Sequence, residues 1–149
     1  MDASDIHILP MQPHHLEALQ QDFEKNFPNI WTYAIWEEEL GNTNSSYYIL
    51  FYQDEPISLG GIKIILDEAD LMNIVTRADY QKKGFAKLLL TYLISKAKEK
   101  KCKHITLEVA SQNTIAIHLY EKMGFQKISI RKNYYRNGDD AIIMAFSLS

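Results

Sequence analysis

The first half of the chain consists of short apolar runs separated by turn residues, a pattern that predicts both strands and helices. Apolar residues at helical spacing predict an amphipathic helix over His14–Asn26, stopped by Phe27-Pro28-Asn29. A second helix is predicted over Thr32–Leu40, with Gly41 and Asn42 as its stop. Four further apolar runs predict strands, the third with a bend at Gly60-Gly61: Ile6–Leu9, Tyr47–Tyr52, Ile57–Leu66 and Leu71–Thr76.

In the second half, apolar residues first recur at helical spacing. Patterns typical of strands dominate towards its end. This spacing predicts a long helix from about Gly84 to Lys101, and Asn113 can cap a shorter helix that closes at Gly124. Asn137-Gly138 is a strong hairpin signal between the last two predicted strands. The predicted strands are Ile105–Ala110, Phe125–Tyr135 and Ala141–Leu148. The element order β-α-α-β-β-β-α-β-α-β-β predicts an α/β sheet of mixed direction with helices on its faces.

Length and composition narrow the class of protein. The 149 residues are the usual size of one domain, and 46% hydrophobic with 23% charged residues is a globular balance. No apolar run approaches the ~20 residues that span a bilayer, and the first ten residues lack the basic start of a secretory signal. The single cysteine, Cys102, excludes an internal disulfide and a multi-cysteine metal site. We therefore expect a cytoplasmic protein without a metal.

Charge is unevenly divided between the two halves. Residues 1–70 carry 13 acidic and two basic side chains, whereas residues 71–149 carry six acidic and 14 basic ones. The division suggests two ligands of opposite charge, and an acidic half suits a cationic acceptor. Glu37, Glu38 and Glu39 either lie near an acceptor entrance or form a solvated helix face. The chain is acidic overall, and its basic residues are not interleaved with aromatic residues. Both features argue against nucleic acid as the primary ligand.

The start of the long predicted helix is the most informative segment. Small residues in Gln81-Lys82-Lys83-Gly84-Phe85-Ala86 let the backbone come close to a ligand. The first amides of a helix have no helical partner and its dipole favours an anion, to which Lys82, Lys83 and Lys87 add positive charge. The segment is either a pyrophosphate site or an ordinary helix start flanked by lysines. It is neither a Walker loop nor a three-glycine dinucleotide motif.

The pattern Gln81-x-x-Gly84-x-Ala86 between a strand and a helix resembles the acyl-CoA pyrophosphate motif of the GCN5-related N-acetyltransferases, the GNAT family. Other segments follow the order and spacing of that family: Asn73-Ile74-Val75, Leu107-Glu108-Val109, Asn113, Ala116-Ile117, Leu119-Tyr120-Glu121 and Gly124-Phe125. The tail, Arg131–Tyr135 followed by Asp140–Met144, is similar to the branch that acetylates the N-terminal alanine of ribosomal proteins. The resemblance implies a single-domain GNAT fold over residues 1–149. This is an α/β fold with a mixed, mostly antiparallel central sheet of six to seven strands and about four flanking helices.

The resemblance also implies roles for particular residues. Acetyl-CoA would be the co-substrate, with the backbone of Ile74, Val75 and Thr76 pairing with its pantetheine arm. Its pyrophosphate would be held by the segment Lys82, Lys83, Gly84, Phe85, Ala86 and Lys87, and Asn113 would also contact it. Glu108 would be the general base and Tyr120 the general acid. From the sequence pattern alone, Glu108 is equally an exposed strand glutamate, Tyr120 a member of the apolar stripe of its helix, and Asn113 an N-cap.

Three functions remain open at this point. The first is acetylation of a protein N-terminal alanine of the ribosomal type by direct attack in a ternary complex, with a basic protein N-terminus as partner. The second is acetylation of a small amine such as a polyamine or an aminoglycoside. The third is a non-catalytic acyl-CoA-binding module. Cys102 is not paired with a base, and the five histidines lack metal-ligand spacing, so neither a cysteine nucleophile nor a metal centre is expected.

Overall fold

The elements follow the predicted order over the residues that the structure, a computed structural model, describes: 5–26 and 32–148. The strands are β1 (Ile6–Pro10), β2 (Ser45–Tyr52), β3 (Glu55–Ile65), β4 (Glu68–Thr76), β5 (His104–Ala110), β6 (Gln126–Arg131) and β7 (Ala141–Ser147). The helices are α1 (His15–Asn26), α2 (Tyr33–Leu40), α3 (Phe85–Glu99) and α4 (Thr114–Lys122), and a 3-10 turn, Ala78–Tyr80, lies between β4 and α3. The predicted stop of α1 at Phe27-Pro28-Asn29 lies outside the described residues.

All the strands belong to one seven-stranded sheet of order β1-β2-β3-β4-β5-β7-β6. Every neighbouring pair is antiparallel except β4 and β5, which are parallel. The prediction of a mixed, mostly antiparallel α/β sheet with about four helices is confirmed. The parallel pair is short, because its register ends at Leu71 opposite Leu107 although β4 continues to Thr76 and β5 to Ala110. Beyond that point the two central strands are no longer paired.

A bulge in β4 lies next to this separation. Leu59 pairs with Val75 and Gly61 with Met72, so two residues of β4 oppose the single residue Gly60 of β3. A Cβ atom at Gly60 would lie 3.2 Å from Cγ1 of Ile74, so a glycine allows the two backbones to approach here. The sequence predicts a bend at Gly60-Gly61, but β3 is continuous and the irregularity falls on β4.

The end of β4 is fastened to β3 and to the segment that follows it. The buried Ser58 hydroxyl donates to the Val75 carbonyl at 2.8 Å and lies 2.9 Å from the Thr76 hydroxyl. The side-chain amide of Gln81 donates to the Thr76 carbonyl at 3.2 Å. Since these contacts hold the end of β4 on its β3 side, the opposite edge of the strand faces the gap towards β5.

Helices cover both faces of the sheet. A Cβ atom at Gly60 would meet Leu89 and Leu93 of α3, whereas one at the next residue, Gly61, would meet the ring of Tyr47. Successive strand residues point to opposite faces, and the Tyr47 ring packs edge-on against Trp36 of α2 at 5.3 Å. Therefore α3 and α2 lie on opposite faces. The apolar stripe predicted for the long helix is buried as expected: Leu89, Leu90, Leu93, Ile94 and Ala97.

The connection between β6 and β7 differs from the prediction. The strand predicted as Phe125–Tyr135 ends at Arg131, and residues 132–140 form a loop. The Asp140 carboxylate accepts from the backbone N–H of Asn133 at 2.9 Å and from Lys132 Nζ at 3.3 Å, so the loop is held across its base. The predicted strand Phe125–Tyr135 would place Tyr134 and Tyr135 on opposite faces of the sheet; this prediction is wrong, because both residues belong to the loop.

Candidate active site

The separation of β4 from β5 opens a cavity of about 800 Å³. Its wall is formed by the ends of both strands, the segment before α3, the first turn of α3, and α4. Of the residues singled out in the sequence, those that line it are Ile74, Val75, Thr76, Lys82, Gly84, Phe85, Ala86, Lys87, Glu108, Asn113 and Tyr120. Lys83 is the exception, since its ammonium lies 5.5 Å from the centre of the Tyr80 ring and outside this wall.

One end of the cavity is built for an anion. Lys82 (φ 62°) and Gly84 (φ 90°) adopt left-handed conformations that turn the chain into α3, and Gly84 has no side chain to cap the helix. The first bond of α3 runs from the N–H of Leu88 to the Gly84 carbonyl, so the preceding first-turn amides have no helical partner. These amides, the helix dipole and the ammonium groups of Lys82 and Lys87 provide the donors and positive charge that a pyrophosphate requires.

Phe85 contributes to this end through its position. Its side chain is only 1% exposed and packs against Tyr52 at 5.2 Å and Tyr80 at 6.0 Å between ring centres. The buried ring anchors the first residue of α3 in the core, which fixes where the free amides lie. Phe85 therefore contributes its backbone, and not its side chain, to ligand binding.

The edge of β4 forms the middle of the cavity. Ile74, Val75 and Thr76 line it beyond the last residue pair that joins β4 to β5. An unpaired strand edge presents N–H and C=O groups that an extended ligand with amide groups can pair with. This geometry suits the pantetheine arm that the sequence resemblance implied.

Glu108 lies on the other side of the gap, within a cluster of polar side chains. It faces away from the buried Leu107 and Val109, as the alternation predicted. Its Oε1 lies 3.2 Å from Nη1 of Arg131, the last residue of β6. The Tyr134 hydroxyl lies near the same carboxylate, and the interaction with Glu108, together with partial burial, raises the pKa of the Tyr134 hydroxyl.

Tyr120 belongs both to the core and to the cavity wall. Its side chain is 7% exposed and its ring lies 5.9 Å from that of Phe125. Burial, with a smaller contribution from the neighbouring Tyr135, raises the pKa of Tyr120 to about 12. Burial and the negative charge of Glu108 likewise raise the pKa of Tyr135 to about 12. The Tyr120 hydroxyl therefore carries its proton throughout the neutral range.

The remaining predicted groups fall partly inside and partly outside the cavity. Asn113 caps α4, accepting from the backbone N–H of Ala116 at 3.2 Å, so its predicted capping role is confirmed while it also lines the cavity. Glu37, Glu38 and Glu39 lie on α2 outside the cavity wall, and Glu39 accepts from the Ser45 hydroxyl at 2.5 Å. Within residues 5–26 and 32–148 no three His, Cys, Asp or Glu side chains are grouped as metal ligands, and no helix there is long and apolar enough to cross a membrane.

Sequence reasoning missed several contacts that complete the site. The sequence marks Gln81 only as part of a motif, yet its side chain ties the loop to β4. Arg131 and Tyr134 belong to the tail motif, which gives no sign of their contact to Glu108. Tyr135 lines the cavity as well. The Gln81 contact is local, whereas those of Arg131 and Tyr134 with Glu108 are long-range, because the backbone of β6 is joined to that of β5 only through β7.

Residues 14–125 match the model of the Acetyltransferase (GNAT) family. The chain belongs to this family. It is 41% identical over 115 residues to the [ribosomal protein bS18]-alanine N-acetyltransferase of Haemophilus ducreyi, covering 73% of this chain and 79% of that one. It is 43% identical over 90 residues to the Escherichia coli K12 protein of the same name, covering 58% of this chain and 61% of that one.

Structural comparison agrees with this membership. The crystal structure of the ribosomal-protein-S18-alanine N-acetyltransferase from Escherichia coli has a TM-score of 0.87 and 30% identity, over 97% of this chain and 94% of that one. The predicted GNAT fold and the resemblance to this family are thus confirmed. The protein is an N-acetyltransferase that uses acetyl-CoA as co-substrate, and the cavity offers a cationic end and a strand edge that fit such a molecule.

The left-handed conformation of Gly84 gives a test of the anion end. We expect Gly84→Val to raise the dissociation constant of acetyl-CoA about tenfold or more, since a side chain obstructs the approach of the backbone; tenfold is about 1.4 kcal/mol. Gly138→Val is the matched control, because Gly138 has a φ of 91° but lies in the β6–β7 loop, where an added Cβ atom would meet nothing within 4 Å. Isothermal titration calorimetry should show normal affinity for the control; equal affinities for both variants would contradict the assignment.

The high pKa of Tyr120 predicts a loss of stability in alkali. In the unfolded chain a tyrosine ionises near pH 10, whereas Tyr120 in the folded protein does so near 12. Its contribution is therefore complete below about pH 10 and is lost as the pH rises towards 12. Urea unfolding between pH 9.5 and 11.5 should show wild type losing about 2 kcal/mol more than Tyr120→Phe, at ~1.36 kcal/mol per pH unit. Parallel curves for the two proteins would mean that the hydroxyl is not held protonated by the fold.

Proposed function

We propose that the protein acetylates the α-amino group of an N-terminal alanine of a ribosomal protein, with acetyl-CoA as donor. The observation that carries this proposal is the 41% identity to a [ribosomal protein bS18]-alanine N-acetyltransferase over 79% of that protein. The structural likeness at 30% identity to the S18-alanine enzyme of Escherichia coli supports it over nearly the whole chain. We further propose that residues 1–149 form one catalytic domain that works in the cytoplasm, where ribosomal proteins are made.

The chemistry of the acceptor favours an α-amine over a lysine. The amine must lose its proton before it attacks a thioester, and the pKa of an α-amino group is near 7.7–8.0 against about 10.4 for lysine. At pH 7 deprotonation costs about 1–1.4 kcal/mol for the first and about 4.6 kcal/mol for the second. Two carboxylates line the cavity, Glu108 and Asp139, and Asp139 already accepts from the side-chain amide of Asn137 at 3.2 Å. A single base, Glu108, is better matched to the easier of the two amines.

Binding of the donor follows from the shape of the cavity. The first-turn amides of α3 (Phe85–Glu99), with Lys82 and Lys87, would hold the pyrophosphate. Ile74, Val75 and Thr76 would pair their backbone with the pantetheine arm along the edge of β4. Asn113, at the start of α4, would contact the donor through the face of its side chain not used in capping. This arrangement directs the thioester towards the point where β4 and β5 begin to separate, next to which Glu108 lies.

Two side chains, Glu108 and Tyr120, are assigned roles at the reacting end. Glu108 takes a proton from the substrate ammonium, directly or through a water, and the free amine then attacks the thioester carbon. A backbone N–H of the bulged β4 segment near Val75 stabilises the oxyanion. This stabilisation is worth several kcal/mol when the N–H group is preorganised. The new C–N bond forms as the C–S bond breaks, and the second nitrogen proton is released so that the sulfur leaves as a thiol. No covalent enzyme intermediate is required.

Tyr120 assists the departing sulfur. An ordinary thiol has a pKa of about 8–9, so complete proton transfer to the sulfur from a phenol whose pKa is about 12 is uphill. Hydrogen-bond donation to the developing thiolate is therefore the larger part of the role that we assign to this hydroxyl. Because the Tyr120 hydroxyl does not ionise in the neutral range, it donates this hydrogen bond without adding a negative charge beside the leaving sulfur.

The acceptor is tested with matched peptides and amines. We expect acetylation of an Ala-starting basic peptide, at the α-amine by mass spectrometry, and no acetylation of the same peptide when its N-terminus is blocked and its lysines are left free. Spermidine and an aminoglycoside serve as comparison substrates in a thiol-release assay. Modification of lysine alone, or turnover only with the free amines, would overturn the proposed acceptor.

Glu108→Gln tests the proposed base. The variant keeps the shape of the side chain but cannot accept a proton, so kcat should fall by about 100- to 10,000-fold at neutral pH. Partial recovery is expected as the pH rises, because more of the substrate amine is then already deprotonated. Glu121→Gln on the exposed surface of α4 is the control and should retain wild-type turnover. Unchanged turnover of Glu108→Gln at every pH would contradict the role of a base.

A further inference from the structure

We propose that Arg131 is a positioning residue that holds the Glu108 carboxylate towards the acceptor end of the cavity. This inference rests on the proposed function, in which Glu108 accepts the proton of the substrate amine. It adds a second residue to that step, contributed by the edge strand β6 and not by the strands that form the cavity. Arg131 touches the proposed base and not the donor, so its effect passes through Glu108.

The contact itself is direct. Nη1 of Arg131 lies 3.2 Å from Oε1 of Glu108, within the range of a charge-assisted hydrogen bond. The guanidinium lies 5.6 Å from the centre of the Tyr134 ring, and the same carboxylate raises the pKa of the Tyr134 hydroxyl. Two side chains from one short segment therefore lie next to Glu108. A glutamate side chain has three rotatable bonds, and such contacts reduce the orientations available to its carboxylate.

The segment that carries these groups is itself fixed. Arg131 ends β6 and pairs with Ala141 of β7, while Glu108 pairs with Ile143 of the same strand. Immediately after Arg131, the Asp140 carboxylate accepts from Lys132 and from the Asn133 backbone. Those bonds lower the pKa of Asp140 and keep it ionised, so the base of the loop stays closed at neutral pH. The guanidinium is thus presented from a rigid hairpin base.

The chemistry of the two groups is compatible with proton transfer. An arginine is always charged and cannot take the proton that Glu108 receives. A carboxylate has about four acceptor sites, so the bond from Arg131 leaves others for the substrate amine. Because the Arg131 side chain is 58% exposed and that of Glu108 36%, the pair is screened by solvent and contributes little to folding. Its value is in orientation, since base catalysis requires the acceptor atom within hydrogen-bond reach of the proton.

The experiment compares Arg131→Ala, Arg131→Lys and the control Arg136→Ala, which removes the same charge from an exposed position of the loop that follows β6. We expect Arg131→Ala to lower kcat about tenfold, a fraction of the whole effect of a general base, with the KM for acetyl-CoA and the melting temperature unchanged. Added guanidinium ion at non-denaturing concentration should restore part of the lost kcat, and Arg131→Lys should retain more activity than the alanine variant. Arg136→Ala should behave as wild type.

A double variant separates this role from a merely structural one. In the Glu108→Gln background, Arg131→Ala should cause no further loss, because a residue that acts through Glu108 has nothing left to position. An equal loss in both backgrounds, or a loss that Arg136→Ala shares, would overturn the inference. Wild-type turnover of Arg131→Ala beside a strongly impaired Glu108→Gln would overturn it as well and leave the proposed base intact. Full activity of Glu108→Gln would instead remove the proposed base, and the positioning role with it.

Discussion

The site exists because two neighbouring strands of the sheet stop pairing halfway along their length. β4 and β5 pair only as far as Leu71 and Leu107, and both continue for several residues beyond that point. Unpaired backbone groups inside a protein are costly unless something satisfies them, so such a gap has to be held open from outside. Ser58 and Gln81 do this by binding the carbonyls of Val75 and Thr76 from the side of β3 and the following loop. The gap then becomes a cavity with one strand edge left for a ligand.

Positive and negative side chains lie at different places around the cavity. The anion end is made by Lys82, Lys87 and the first amides of α3, while the opposite side of the gap holds Glu108. A donor with a phosphate-rich end and a neutral thioester end is thereby given one orientation. The acidic triplet of α2 does not line the cavity, so the excess of acid in the first half belongs mostly to surface outside it.

Local signals in the sequence are sufficient for the elements and for the donor site, but not for contacts between distant segments. Helical and strand periodicity located every strand and α-helix of the described chain but not the 3-10 turn Ala78–Tyr80, and the spacing of Gln81, Gly84 and Ala86 marked the anion end. The extent of β6 could not be read from the pattern, because the aromatic residues Tyr134 and Tyr135 follow Arg131 in a loop closed by Asp140. The partners of Glu108 come from the end of β6 and from that loop. These segments are more than twenty residues apart from Glu108 in the sequence, and their backbones are joined only through a third strand, β7. Local periodicity cannot predict such a contact.

Tyr120 shows why packing and function cannot be assigned to separate residues here. The pattern placed it in the apolar stripe of α4 and the family resemblance gave it a chemical role, and its position is compatible with both. The cavity is cut into the core, so a hydroxyl at its wall is necessarily buried, and that burial raises the pKa of Tyr120 to about 12. The energetic cost of burying the ionised form is what keeps the group a neutral donor. Loss of the surrounding apolar contacts would therefore alter its chemistry, which links the packing of the core to the reaction that takes place at its edge.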